Sequence, residues 1–255
     1  MLLALAGALA ACASKPHVDA TPPAQPRPAA QLSEAARYNV ELGIAYMQRG
    51  ELGLAKEKLE RALKEDPHSA EAHSALALLY QRLGDLPAAD SEFRTAMRLD
   101  PHNPEIANNY AVYLCGTQRV DEGVRRLLIV ARDPLYRTPE AAYTNAAVCL
   151  RGVHRDEDAQ RNLQRALTLR PGFAEAVYQL ADLQLEHGQL REARARIDEY
   201  IDNYIATPDL LWLGVRIARV QGDRLAEQRY AQRLRVDFPD SQQTRALTQG
   251  SQNPG

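Results

Sequence analysis

The chain has 255 residues, with 31 Lys and Arg against 33 Asp and Glu for a formal net charge of −2. It carries no long run of one sign, so it lacks the basic footprint that nucleic-acid binding needs, and the balance also counts against an electrostatic membrane-surface role. With 45% apolar residues, abundant Ala and Leu, 11 Tyr and only 3 Phe, the composition is that of a helical, soluble body.

Residues Met1 to Ala11 carry no charge and end in two small residues before Cys12. The run is too short to span a bilayer, which takes roughly 20 apolar residues, and it fits the apolar core of a secretory signal. "LAAC" (Leu9 to Cys12) resembles the lipobox of bacterial lipoproteins, in which the Cys is acylated and becomes the new N-terminus. The plain alternative is an unstructured apolar start with an incidental Cys. No Lys or Arg precedes Cys12, so the start of translation is expected upstream of Met1. Stable anchoring takes two lipid signals, and a lipoprotein Cys of that class carries more than one acyl chain. Ala13 and Ser14 follow without an Asp, which resembles the pattern sent to the Gram-negative outer membrane.

Residues 12–31, with "KPHVDATPPAQPRPAA" at Lys15 to Ala30, are Pro- and Ala-rich without apolar periodicity. They are expected to form a disordered, partly polyproline-II tether. At ~3.1 Å per residue it would reach roughly 60 Å.

From Leu42 to Pro67 the sequence "LGIAYMQRGELGLAKEKLERALKEDP" aligns with "LALLYQRLGDLPAADSEFRTAMRLDP" (Leu76 to Pro101) at an offset of 34 residues. The frame returns at Asn145 to Pro171. These segments match the tetratricopeptide pattern of small residues, Tyr or Leu, and a closing Pro. Gly43 and Ala55 let two helices approach closely, Tyr46 and Leu59 fill the space between them, and Pro67 ends the second helix. One hairpin cannot bury its apolar face alone, so neighbours stack. The third repeat (about Pro104 to Thr138) is followed by "DPLYRTP", which adds two residues. The fifth (about Ala174 to Ala206) keeps Leu180, Ala181, Ala193 and Ile197 but lacks its closing Pro. The sixth is framed by Leu213, Gly214, Ala226 and Tyr230. The reading is an all-α, right-handed superhelical solenoid of about six tetratricopeptide repeats over residues 32–241. A polar tail, 242–255, is too poor in apolar residues for a seventh.

No HExxH, GxSxG or Gly-rich phosphate loop is present, and the six His are scattered. His17 lies in the tether, His68 and His102 follow closing prolines, His154 and His187 sit near turns, and His73 is on an inner helix. The set fits solvated surface His better than metal ligands. Glu57, Glu60 and Asp90 alternate with bases at helical spacing, an ordinary solvated face, and Trp212 is assigned to packing. The expectation is a non-enzyme with no metal and no cofactor.

Cys115 and Cys149 fall near positions 12 and 10 of consecutive inner helices, at similar heights on neighbours. With Cys12 acylated they form an even pair in an oxidising compartment, which favours a disulfide; two buried thiols are the alternative. The concave face is expected from positions 2, 5, 9 and 12 of each first helix. These are Arg37, Val40, Ile44 and Met47, then Glu71, Ser74, Leu78 and Gln81, then Glu105, Asn108, Val112 and Cys115. Val40, Ile44 and Met47, with Leu78 beside them, make an apolar strip where chaperone-type repeat domains hold a Lys and Asn clamp. Such a strip suits an amphipathic helix or apolar peptide segment; the competing occupant is the chain's own tether or its flanking helix.

"NNYAVYLCGTQRVDEGVRRLLIVARDPLYRTPEAAYTNAAVCL" (Asn108 to Leu150) is narrower than a generic repeat. Its Asn-Asn-Tyr opening, "RLL" and extended "D-x-LY" linker resemble the PilF/PilW family of outer-membrane pilotin lipoproteins. "LLWLGVRIARVQGDRLAEQRYAQRLRVDFP" (Leu210 to Pro239) is similar to that family's final repeat. The resemblance implies a partner, the type IV pilus secretin, whose subunits the protein would carry to the outer membrane and help to assemble. Two rivals stand beside it: a general outer-membrane protein assembly lipoprotein, and the repeat arm of a periplasmic enzyme complex.

Overall fold

A computed structural model describes residues 34–251, and the described residues form thirteen α-helices and no strand. The signal (1–11), Cys12 and the tether (12–31) lie outside the described residues. Twelve helices pair in chain order into six hairpins. They are α1 (Glu34–Gln48) with α2 (Leu52–Glu65), α3 (Ala70–Leu83) with α4 (Leu86–Leu99), and α5 (Pro104–Cys115) with α6 (Val120–Val130). The next three are α7 (Pro139–Arg151) with α8 (Asp156–Leu169), α9 (Ala174–Glu186) with α10 (Leu190–Asn203), and α11 (Pro208–Gln221) with α12 (Arg224–Asp237). Each odd-numbered helix of the six pairs also packs on the next odd one, so an inner row runs through the solenoid.

The repeat residues do what their sizes require. Ala55, Ala89, Ala159 and Ala193 are fully buried one turn before Leu59, Phe93, Leu163 and Ile197, which are also fully buried. A Cβ added at Gly43 would lie 2.6 Å from Leu59 Cγ, so only glycine lets α1 sit this close to α2. Five helices start on side-chain caps: Ser69 accepts from Ala72 N–H, Asp85 from Ala88, Asn103 from Ile106, Thr207 from Leu210 and Asp223 from Ala226. Helices α2, α4 and α8 stop before proline. Asp66 (φ −140°), Asp100 (φ −135°) and Arg170 (φ −143°) each leave the helix while donating back to an alanine carbonyl. His154 adopts φ 57° at the turn position that Gly50, Gly84 and Gly188 hold elsewhere.

Two sequence expectations change. The sixth repeat starts one residue later than its assigned frame. The fifth repeat runs its full length without a closing Pro, because Tyr204 takes the extended conformation that ends α10 and Thr207 caps α11. Position 9 of the sixth repeat is therefore Arg216, and Val215 is fully buried. The polar tail is not featureless either. Gln242–Ser251 forms α13, which packs on both α11 and α12 and buries Leu247 (2% exposed). Its single buried leucine explains why composition concealed it: one helix that only closes the end of a stack needs far less apolar surface than a hairpin.

Candidate functional site

The inner helices present one residue per repeat at position 9, toward the concave side of the stack. In order these are Ile44, Leu78, Val112, Val148, Asp182 and Arg216. Ile44 is 38% exposed, Val112 37% and Val148 43%, while Leu78 is half-buried. Four aliphatic side chains thus line the groove of the first four repeats.

Val40 and Met47, assigned to the strip with Ile44 and Leu78, are in the core instead, at 6% and 4% exposure. Positions 5 and 12 are seven residues apart, almost two full turns, so they share a line on the helix. That line faces the next inner helix, and α1 packs against α3. Ser74, Asn108 and Thr144, at position 5 of the following repeats, are buried for the same reason. Position 9 lies about 40° to one side of position 5 and escapes. Val112 and Val148 were both absent from the expected strip; Val112 was named only at position 9 of the third repeat, and Val148 follows from that register carried one repeat further.

The apolar line ends in an ion-pair cluster. Arg151 on α7 donates to Asp182 Oδ2 (2.9 Å), to Glu186 (2.9 Å) and to Gln179 Oε1 (2.5 Å), and Arg216 reaches Asp182 Oδ1 at 3.1 Å. Burial opposes the Arg151 charge, but the Asp182 and Glu186 carboxylates outweigh it and hold its pKa above the ordinary arginine value. Between the two regions, Asn145 on α7 donates to Asn108 on α5 at 3.2 Å, adding a polar rung between neighbouring inner helices.

Cys115 and Cys149 come together where the C-terminal ends of α5 and α7 meet. Their Cα atoms are 5.4 Å apart, within the span of a disulfide, and their sulfurs are in bonding contact. Position 12 of α5 thus meets position 10 of α7. The pair borders a cavity of about 330 Å³ with Val112, Val148, Val120 and Val153. Gly123 permits the arrangement, since a Cβ there would lie 2.7 Å from both the Ala111 carbonyl oxygen and Cys115 Sγ.

Among the described residues no group of three or more His, Cys, Asp or Glu could hold a metal ion, and no helix is long and apolar enough to cross a membrane. His73 bonds Glu92 and His187 bonds Asp156, ties between or within repeats that account for two of the histidines. The geometry is that of a repeat scaffold with an aliphatic line along its inner helices.

Comparison with known proteins agrees on that class and narrows it. Models of the tetratricopeptide repeat match residues 40–104 and 74–135, and a second such model matches 157–204. The type IV pilus assembly protein PilF of Pseudomonas aeruginosa is 31% identical over 208 residues, which cover 82% of each chain. A solved structure of P. aeruginosa PilF superposes with a TM-score of 0.64 at 29% identity, covering 85% of this chain and 98% of that one. The crystal structure of PilW, described as a widely conserved type IV pilus biogenesis factor, superposes with a TM-score of 0.67 at 30% identity, covering 85% and 99%. The chain belongs to the PilF/PilW family of tetratricopeptide repeat proteins, and so to the homologues of type IV pilus biogenesis factors.

Proposed function

We propose that this protein is a non-catalytic, lipid-anchored scaffold that binds the type IV pilus secretin and promotes its localisation and multimer assembly. Acylated Cys12 holds it to the periplasmic face of the outer membrane, and the Pro-rich tether lets the folded body work away from that surface. The carrying observation is the aliphatic line of exposed Ile44, Val112 and Val148 with half-buried Leu78, closed at one end by the Arg151–Asp182–Arg216 cluster. A line of aliphatics inside a helical groove suits an amphipathic helix or extended apolar segment laid along it.

The test places a charge in the line. Ile44→Asp and Val112→Asp are expected to keep helicity and melting close to those of the unaltered chain, because both side chains are already partly in water. Both should lose secretin multimers and surface pili while the lipoprotein stays abundant in the outer membrane. An unpaired carboxylate facing an apolar ligand costs about 1–3 kcal/mol or more to desolvate. Glu57→Lys on the solvated face should be close to silent. Normal multimers in a folded Ile44→Asp, Val112→Asp double variant would remove the binding surface from this groove. Cys12→Ser should leave a folded protein that no longer fractionates with the outer membrane, and unchanged membrane association would reject the anchor.

A further inference from the structure

The third repeat carries a second exposed surface, on its outer helix and the two-residue extension that follows. Arg125 and Ile129 are one turn apart on α6 and both exposed, and Arg132 continues the face three residues later. In the extension, Tyr136 is only 6% exposed and packs into the core of the third and fourth repeats. With Tyr136 turned inward, its neighbours Leu135 and Arg137 project to solvent. Ile129 is 68% exposed and Leu135 73%. The guanidinium groups of Arg125, Arg132 and Arg137 make no ion pair or hydrogen bond among the described residues. Nearby arginines are matched, Arg119 with Asp90 and Glu122, Arg126 with Glu122, and Arg155 with Asp121 and Asp158, so what sets this face apart is three unpaired guanidiniums grouped with two exposed aliphatic side chains. Asp133, the acid within the patch, accepts the Leu135 N–H at 2.8 Å, and its one carboxylate leaves the three guanidiniums in excess.

We propose that this face is a docking surface for an anionic phospholipid bilayer. The choice of occupant follows from charge and shape. Three unmatched guanidiniums call for an anionic partner and pair readily with phosphate. Two aliphatic tips between them, one on an outward-facing helix and one on the turn after it rather than in a groove, suit burial at the headgroup boundary. An acidic peptide would satisfy the arginines but leave Ile129 and Leu135 without a pocket. The net charge of −2, which counts against a membrane-surface role for the chain as a whole, conceals this clustering. The inference rests on the membrane-side location proposed above but not on the anchor itself. Docking through α6 would fix the angle at which the groove meets the membrane, which a flexible tether alone cannot do.

The experiment uses the full chain carrying Cys12→Ser, so that no acyl chain contributes, and sedimentation with vesicles. The vesicles are of phosphatidylcholine alone or of phosphatidylcholine mixed with phosphatidylglycerol. Binding is expected only with phosphatidylglycerol, and should fade as salt is raised. Each of Arg125→Gln, Arg132→Gln and Arg137→Gln should lower the partition coefficient roughly fivefold, and the three together roughly a hundredfold. An Ile129→Ser, Leu135→Ser variant should also bind less, with circular dichroism unchanged because all five side chains are exposed. Equal binding to both vesicle types, or a triple arginine variant that binds like its parent, would overturn the proposal. So would capture of polyglutamate through these arginines without vesicle binding, which would point to an acidic protein partner. Because no acyl chain is involved, a failure of the anchor reading leaves this result unaffected.

Discussion

Gly43 illustrates how far a single residue sets the repeat. Its place in a helix interior is unfavourable by about 1 kcal/mol relative to Ala, yet a Cβ would meet Leu59 Cγ and Cδ2 at 2.6 and 2.7 Å. Leu59 is fully buried and has no free direction to move. Gly43→Ala is therefore expected to destabilise by about 1–2 kcal/mol net, overpacking outweighing propensity. Denaturant unfolding checks this, and a Gly43→Ala, Leu59→Ala double variant should lose less than the sum of its parts. Tyr230 gives the pH counterpart. Burial, and the hydrogen bond its hydroxyl donates to Asp198, push its pKa up to about 12. A folded value above the unfolded value of about 10 means the folded state holds the proton more tightly. The resulting stability, up to about 3 kcal/mol, is whole below pH ~10 and lost as pH rises toward ~12. Unfolding curves across that window should fall more steeply for the unaltered chain than for Tyr230→Phe.

At the scale of elements, side-chain caps and prolines mark several helix ends, and two departures from that rule share a cause. The fifth repeat has no proline, yet Tyr204 still leaves α10 while donating its N–H to the Tyr200 carbonyl. Its ring also occupies the space beside Gly172, so packing replaced the missing local signal. Helix α13 is likewise tertiary in origin. Gln243 reaches Asp209, the Thr244 hydroxyl donates to the Phe238 carbonyl at 2.7 Å, and Leu247 closes the core of the last repeats. Leu247→Ala should release this helix with little effect on the middle of the solenoid, because a repeat array is coupled mainly through nearest neighbours. Hydrogen exchange is the measurement: faster exchange in α13, unchanged protection in α7. Slowed or unchanged exchange in α13 would mean that Leu247 is not what docks it.

Across the whole molecule, the Cys115–Cys149 pair ties α5 to α7 and so joins the third repeat to the fourth, where the two extra residues interrupt the period. We expect protein recovered from the periplasm to carry this bond. A closed loop of this size is worth about 3–4 kcal/mol by the chain-entropy model. Mass spectrometry after non-reducing alkylation should find no free thiol at either position; two alkylated cysteines would reject the bond. The sequence by itself determined the helical class, the period, the approximate repeat boundaries and the juxtaposition of these two cysteines, because all of these follow from local chemistry repeated at a fixed spacing. It could not decide which of four candidate positions faces the groove. Val40, Ile44 and Met47 are all apolar and within 60° of one another on α1. Only the placement of α3 against α1 buries the first and last and leaves Ile44 exposed. The same placement, repeated along the inner row, carried the aliphatic line on to Val148 and ended it at Asp182 and Arg216. Periodicity reports which side of a helix is apolar; the neighbour that covers part of that side belongs to the tertiary structure.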